Sequence, residues 1–155
     1  MNVIEIKPVD AENVFDVCEL TTNQDGVGTT MEEFLCCNAT SIAESKYYPE
    51  MHPNAIYNGD VLIGFFMYKR TESRAEIATI CRFMIDYKFQ HKGLGKAAFA
   101  QILAFMKDSG VRKVVLMIDD ANEIAKNLYT SFGFRFTGKI DHDEYYYEKV
   151  LTTLA

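Results

Sequence analysis

The sequence predicts one mixed α/β (α+β) domain in which a mostly antiparallel central sheet is flanked by helices. Three observations lead there. A chain of 155 residues, 48% hydrophobic and 25% charged, suits a single globular domain and buries roughly two-thirds of its chain surface without staples. Stretches of period two interleave with stretches of helical period in the order β-α-α-β-β-β-α-β-α-β-β. No repeat or linker divides the chain, so residues 1–155 read as one domain.

Each element has its own signal. Val3 to Val9 alternates apolar and polar residues as a strand does. Asp10 stands as an N-cap before Val14, Phe15, Val17 and Cys18, whose helical spacing runs to about Leu20. After the polar loop Thr21 to Gly28, Thr30-Met31-Glu32-Glu33 matches a capping box and opens a helix toward Tyr47, which Pro49 and Pro53 end. Ala55–Tyr57 and Val61–Tyr68 are strands joined at Asn58-Gly59, a strong hairpin signal. A polar turn over Arg70–Arg74 leads into an extended segment from Ala75 to about Ile85, and Asp86–His91 has no period. Leu94, Ala97, Ala98, Ile102, Phe105 and Met106 mark the apolar face of a helix that Gly110 stops. Val111–Ile118 reads as a buried strand and Asn122–Phe132 as a short helix closed by Gly133. Phe134–Ile140 and Tyr145–Leu151 form a last hairpin.

Composition excludes several classes. A formal net charge of −6 argues against nucleic acid as the main partner, because neutralising phosphates needs a basic footprint. Cysteines 18, 36, 37 and 81 form no CxxC pair and His52, His91 and His142 are scattered, so no metal-ligand spacing is present. The thiols read as structural or incidental. The longest apolar run, Val61 to Tyr68, has eight residues, far below the ~20 of a membrane helix. The N-terminus shows no secretory signal, so the expectation is a cytoplasmic chain without a membrane partner. Charge is split: residues 1–60 carry eleven acids against Lys7 and Lys46, and residues 61–155 carry fourteen bases against eleven acids. Such a division suits an anionic ligand on the second part and a cationic one on the first; from charge alone a solvated acidic surface is the simpler explanation.

Gln90-His91-Lys92-Gly93-Leu94-Gly95-Lys96 lies between a strand and a helix. Glycines let a backbone approach a ligand closely, and a helix start presents unpaired N–H groups, so a phosphate-bearing ligand is the natural occupant. Gly93-Leu94-Gly95-Lys96-Ala97-Ala98 satisfies the dinucleotide fingerprint, with Asp119 placed for a ribose, yet seven residues separate Ile85 from Gly93 where the fingerprint wants its glycine directly after the strand. No G-x-x-x-x-G-K-[ST] occurs, which removes the P-loop. An acyl-coenzyme A site is the third reading.

Gln90-x-x-Gly93-x-Gly95 resembles the motif of the GCN5-related N-acetyltransferases. The extended Arg82-Phe83-Met84-Ile85 and the stretch Asn122-x-x-Ala125-x-x-Leu128-Tyr129-x-x-Phe132-Gly133-Phe134 resemble two further marks of that family, and the order of elements fits it over nearly the whole chain. Lys46-Tyr47-Tyr48, Gly59-Asp60-x-Leu62-x-Gly64-Phe65 and Arg82-Phe83-x-Ile85-Asp86 are similar to its bacterial spermine/spermidine acetyltransferases. The resemblance implies acetyl-coenzyme A as co-substrate and no metal. It implies that backbone N–H groups of Gln90, His91, Lys92, Gly93, Leu94, Gly95 and Lys96 hold the pyrophosphate. The main chain of Phe83, Met84 and Ile85 would bind the pantetheine arm like an added strand, where two strands splay apart. Asn122 would reach the pantetheine, and Tyr129 would point its hydroxyl at the thioester sulfur. Asn122 is equally a good helix N-cap, and a core role is the alternative for Tyr129 on its short apolar helix.

The reaction implied is direct attack of a primary amine, with the developing oxyanion met by an N–H of the Phe83–Met84 region. Glu76 is the candidate base, acting through a water. An acid stands just before the Arg-Phe pair in some members of the resembled group, where this chain has Cys81. No His lies near Cys81 in sequence, which argues against an acyl-cysteine. Glu33 and Glu44, eleven residues apart and thus on one helix face, form a row suited to a linear polycation, with Tyr47 and Tyr48 lining an amine tunnel through cation–π contact. Glu33 as a cap of its own helix and Glu44 as a solvated acid explain those positions as well. Other amines, or a non-catalytic coenzyme-binding module, are the alternatives, and an isologous homodimer is the commonest assembly.

Overall fold

The structure is a computed structural model that describes residues 2–22 and 37–151. Its strands are β1 (Ile4–Pro8), β2 (Met51–Asn58), β3 (Val61–Lys69), β4 (Ile77–Ile85), β5 (Lys113–Asp119), β6 (Arg135–Asp141) and β7 (Glu144–Val150). Its helices are α1 (Val14–Glu19), α2 (Asn38–Tyr47), α3 (Leu94–Asp108) and α4 (Glu123–Ser131). The strands form one sheet in the order β1-β2-β3-β4-β5-β7-β6, antiparallel except for β4 beside β5. The capping box Thr30–Glu33 lies outside the described residues; within them α2 begins at Asn38.

Two helical layers cover the sheet unequally. Alternate residues of β3 point to opposite faces. Phe65 and Met67 meet α1 and α2 through Val17 and Ile42, with Ala55 of β2 beside them. Phe66 and Tyr68 meet α3, whose Ala98, Phe99, Ile102 and Met106 are fully buried. Burying the phenylalanine, isoleucine and methionine side chains stabilises by roughly 1.5–3 kcal/mol each. The α3 side continues across β5 and β7 through Val114, Leu116, Ile118 and Tyr147, closed by Tyr129 and Phe132 at and after the end of α4. On the opposite face of β5, β7 and β6 the end residues Asp119, Asp141 and Glu144 are exposed.

Two turns differ from the sequence reading. Strand β2 starts at Met51 and runs through Pro53, because the Pro53 carbonyl turns toward β1 and accepts from Val9 N at 3.1 Å beyond the end of that strand. Its missing N–H points to the same side, where no ladder bond is lost. The β2–β3 turn is Gly59-Asp60, with positive φ at Gly59 alone, as a turn with glycine first requires. Asn58 closes β2, and its side chain accepts from Val3 N at 3.0 Å.

Strands β4 and β5 define the site. They pair only from Ile77–Ile80 to Lys113–Leu116, although β4 continues to Ile85 and β5 to Asp119. The cause is on β4: Met67 faces Arg82 and Tyr68 faces Ile80, so Cys81 is an extra residue, a β-bulge that bends the strand away. Beyond it β4 stays with β3 and β5 stays with β7, and a wedge opens between them.

Candidate active site

Asp86 N donates to Ile63 O at 2.8 Å, which sets the alternation of the β3–β4 ladder. Arg82 and Met84 therefore turn their main-chain groups toward β3, and Phe83 and Ile85 turn theirs into the wedge. The carbonyl of Ile85 is taken by Gln90 Nε2 at 2.9 Å. Among the described residues nothing takes the main chain of Phe83, which leaves it for an extended ligand lying as an added strand.

Past β4 the chain is tied down by a buried acid. Asp86, 1% exposed, accepts from Thr21 N at 2.9 Å, from Lys88 N at 3.2 Å and from Lys88 Nζ at 3.3 Å. Tyr87 N completes the clamp by donating to Thr21 O at 2.8 Å. This pins the chain between α1 and the Gln90–Lys96 loop to the end of β4. Asp86 entered the sequence reading only as part of a motif; its burial and its three donors come from the fold.

The loop itself has the shape of an anion cradle. His91 (φ 62°) and Gly93 (φ 77°) are left-handed, alternating with Lys92, so successive N–H groups turn inward. Gly93 is the N-cap of the 15-residue α3 and offers no side-chain cap, and no acid stands in the first turn. The amides of Leu94, Gly95 and Lys96 thus keep the donors that a helix start leaves unpaired. A Cβ on Gly93 or Gly95 meets nothing closer than Ile85 Cγ1 at 3.9 Å from Gly95. Space is therefore left there that packing does not require, as close approach of a ligand backbone or phosphate demands. These groups fit a coenzyme A: uncapped amides for its diphosphate, a free strand edge for its pantetheine.

Tyr129 closes the α3 side of the wedge. Phe99 lies between Phe83 and Tyr129, 5.6 Å and 4.9 Å from their rings. Burial pushes the Tyr129 phenol up to about 12, and its hydroxyl has no protein partner among the described residues. Asn122 performs the cap: its Oδ1 accepts from Ala125 N at 3.1 Å, and its Nδ2 stays free of protein partners among the described residues.

On the α2 side, Asn38 Nδ2 touches Met84 Sδ at 3.8 Å. From there to Glu44 is six residues of helix, about 9 Å, against about 10 Å for the three strand residues from Met84 to Cys81. Glu44 is thus level with the bulge. Burial first pushes the Cys81 thiol up; Arg82 and Lys69 offset that and the Glu44 carboxylate adds to it, so three charges face this sulfur. A thiol held protonated, with Sγ 3.6 Å from Thr79 O, is a poor nucleophile.

Two expectations change, and a third falls outside the described residues. Glu76 sits at the other end of β4, side chain half-exposed and 3.9 Å from Arg74, with its carbonyl accepting from Arg112 N and Lys113 N. Roughly 20 Å of strand separates it from Phe83, so it is not the base. Tyr47 and Tyr48 are 83% and 54% exposed, past Cys81 toward the start of β2, and the described residues enclose no tunnel around them. Glu33 lies outside the described residues. The fold instead assembles acids that sequence spacing hides. Asp119 faces Glu144 and Asp141 faces Glu144 across β5, β7 and β6, all three exposed on the face opposite α3 at the mouth of the wedge. The hairpin register, set by a two-residue turn at His142-Asp143, was the available signal.

A wedge between parallel strands, opening onto an uncapped glycine-rich helix start, suits a protein that binds an acyl-coenzyme A. Residues 20–134 match the family model "Acetyltransferase (GNAT) family", and the chain belongs to that family. It is an acetyl-coenzyme A-dependent N-acetyltransferase. The chain is 28% identical over 144 residues to the spermine/spermidine N(1)-acetyltransferase of Bacillus subtilis (strain 168), covering 89% of this chain and 91% of that one. A solved acetyltransferase from Desulfovibrio desulfuricans shares the fold at a TM-score of 0.74 and 15% identity, over 97% of this chain and 100% of that one. The PaiA N-acetyltransferase of Thermoplasma acidophilum, solved with coenzyme A, shares it at 0.67 and 20% identity, over 96% and 99%. Among the described residues no group of three metal-ligating side chains occurs, and no helix is long and apolar enough to cross a membrane.

Proposed function

We propose that the protein acetylates a primary amine of a small cationic substrate, a polyamine of the spermine/spermidine kind, by direct attack within a ternary complex. The observation that carries this reading is the carboxylate row Asp119, Glu144 and Asp141 beside the wedge, on a face open to solvent. Like charges set directly opposite destabilise a sheet; Asp119 accepts from Ala121 N at 2.9 Å and Asp141 lies 2.6 Å from His142 Nδ1, and a cation bridging Glu144 to these neighbours relieves the row further. Similarity to the Bacillus subtilis enzyme points the same way.

In this reading Glu44 receives the reacting ammonium at the bulge. A primary amine resembles Lys, with a pKa near 10.4, so at pH 7.4 about one molecule in a thousand is neutral, a cost of roughly 4 kcal/mol. A carboxylate at that point gathers the cation and accepts its proton through water. The Phe83 amide, turned into the wedge, meets the developing oxyanion. Asn122 Nδ2 and the Phe83 main chain hold the pantetheine, and the Gln90–Lys96 amides hold the diphosphate. Tyr129 acts on the leaving sulfur by hydrogen bond: with its phenol at about 12 and a thiol near 8.5, full proton transfer is uphill by roughly 5 kcal/mol.

Thiol release from acetyl-coenzyme A, measured across a panel of amines, tests the reading. Spermidine and spermine are expected to turn over. Replacing both Asp119→Asn and Glu144→Gln is expected to raise the spermidine KM about tenfold, near 1.4 kcal/mol, and to leave the acetyl-coenzyme A KM in place. Turnover of a monoamine or peptide alone removes the polyamine and leaves the acetyltransferase.

A further inference from the structure

The foot of β4, below the bulge, holds a cavity of about 250 Å³ lined by Lys69, Thr71, Arg74, Ile77 and Thr79. Lys69 stands directly opposite Thr79 in the β3–β4 ladder, so ammonium and hydroxyl share one face. The 3₁₀ turn Glu72–Arg74 brings the Arg74 guanidinium to the same cavity. These cations are poorly matched by the protein. Lys69 makes no ion pair among the described residues, and Arg74 has Glu76 at 3.9 Å with both side chains more than half exposed, a contact worth little. Two cations and two hydroxyls therefore converge on one apolar wall, Ile77, in a chain whose net charge is −6.

Such a donor set fits oxygen atoms carrying negative charge. A guanidinium offers a planar fork to two of them, an ammonium a point charge, and the threonines two further O–H donors. The coenzyme loop is a different place: Thr79 lies six residues before Ile85, about 20 Å along the strand, and the loop begins beyond it. We propose that this cavity binds a small oxyanion, a carboxylate or phosphate group, independently of the coenzyme site.

Titration calorimetry on the full chain with saturating coenzyme A, which occupies the phosphate loop, tests it. Inorganic phosphate and succinate serve as separate probes, with potassium chloride matching ionic strength. The expected result is saturable heat with at least one probe, and affinity at least tenfold lower after Lys69→Gln with Arg74→Gln. The tighter probe then identifies the oxyanion as phosphate or carboxylate. Arg74→Lys, which keeps the charge and loses the fork, is expected to weaken binding by less. Absence of saturable heat for both probes overturns the proposal, as does binding that the double variant leaves intact while its melting temperature matches the parent.

Discussion

The two ends of the β4–β5 pair use the same strands in opposite ways. At the foot, Ile77–Ile80 and Lys113–Leu116 form a parallel ladder, and Arg112 and Lys113 both donate to the Glu76 carbonyl. At the mouth, Cys81–Ile85 and Met117–Asp119 face each other without pairing. A ladder satisfies main-chain groups internally and leaves a surface; an interrupted one stores unspent hydrogen bonds for a ligand. One inserted residue, Cys81, separates the regimes. The foot is consequently a place where side chains alone can recognise anything, whereas the mouth recognises with backbone.

Breaking the mouth is expected to cost most. Asp86→Ala leaves the amides of Thr21 and Lys88 without their acceptor and is expected to lower stability by about 3 kcal/mol, read by urea unfolding, while abolishing measurable coenzyme affinity. A variant with parental coenzyme affinity would show that the clamp does not shape the loop. Gly64→Ala acts one strand away. A Cβ there meets Met84 O at 2.5 Å, so β4 must shift, at about 1–3 kcal/mol and with a raised acetyl-coenzyme A KM.

Tyr129→Phe separates chemistry from packing. Turnover is expected to fall on the order of 100-fold while coenzyme affinity stays within about twofold; unchanged turnover removes the hydroxyl from the reaction. The same variant reports on pH. Burial raises the folded phenol to about 12 from its ordinary 10, so its contribution to stability is complete below pH 10 and lost as pH rises to 12, roughly 2–3 kcal/mol in all. Melting curves between pH 9 and 12 are expected to flatten in Tyr129→Phe by that amount.

Gly95→Ala gives the smallest stability effect and the cleanest contrast. The added methyl meets Ile85 Cγ1 at an ordinary 3.9 Å, and alanine favours a helix, so the chain is expected to gain about 0.5–1 kcal/mol. Acetyl-coenzyme A KM is expected to rise nonetheless, because the methyl occupies the approach of the diphosphate. A gain in stability without a change in KM would mark Gly95 as incidental.

The distribution of legible features follows the range of the forces involved. The helix face from Leu94 to Met106, the presence of the β2–β3 hairpin (its turn shifted by one residue) and the Gln90–Gly95 loop are local, set by propensity and spacing within a few residues, and the chain states them directly. So is the Asn122 cap, which consumes one of the two polar atoms that the resemblance would assign to the coenzyme. Glu76 misled although it and Phe83 stand on one extended segment, where seven residues mean roughly 20 Å; the pairing of β4 beside β5 then shows that nothing folds it back to the wedge. Tyr47 and Tyr48 misled because aromatic character says nothing about which side of α2 meets the sheet. The bulge at Cys81 leaves no compositional trace, since it exists only relative to the partner β3.

The amino-acid sequence by itself determined the class of the domain, its family and the segment that grips an anionic ligand, because each rests on short-range periodicity, capping and backbone freedom. Tertiary structure alone decided that Glu44 reaches the bulge, that Asp119, Glu144 and Asp141 align, and that Lys69 and Arg74 share a cavity. Those pairings join residues far apart along the chain, and register between strands, a property of the folded sheet, is what brings them together.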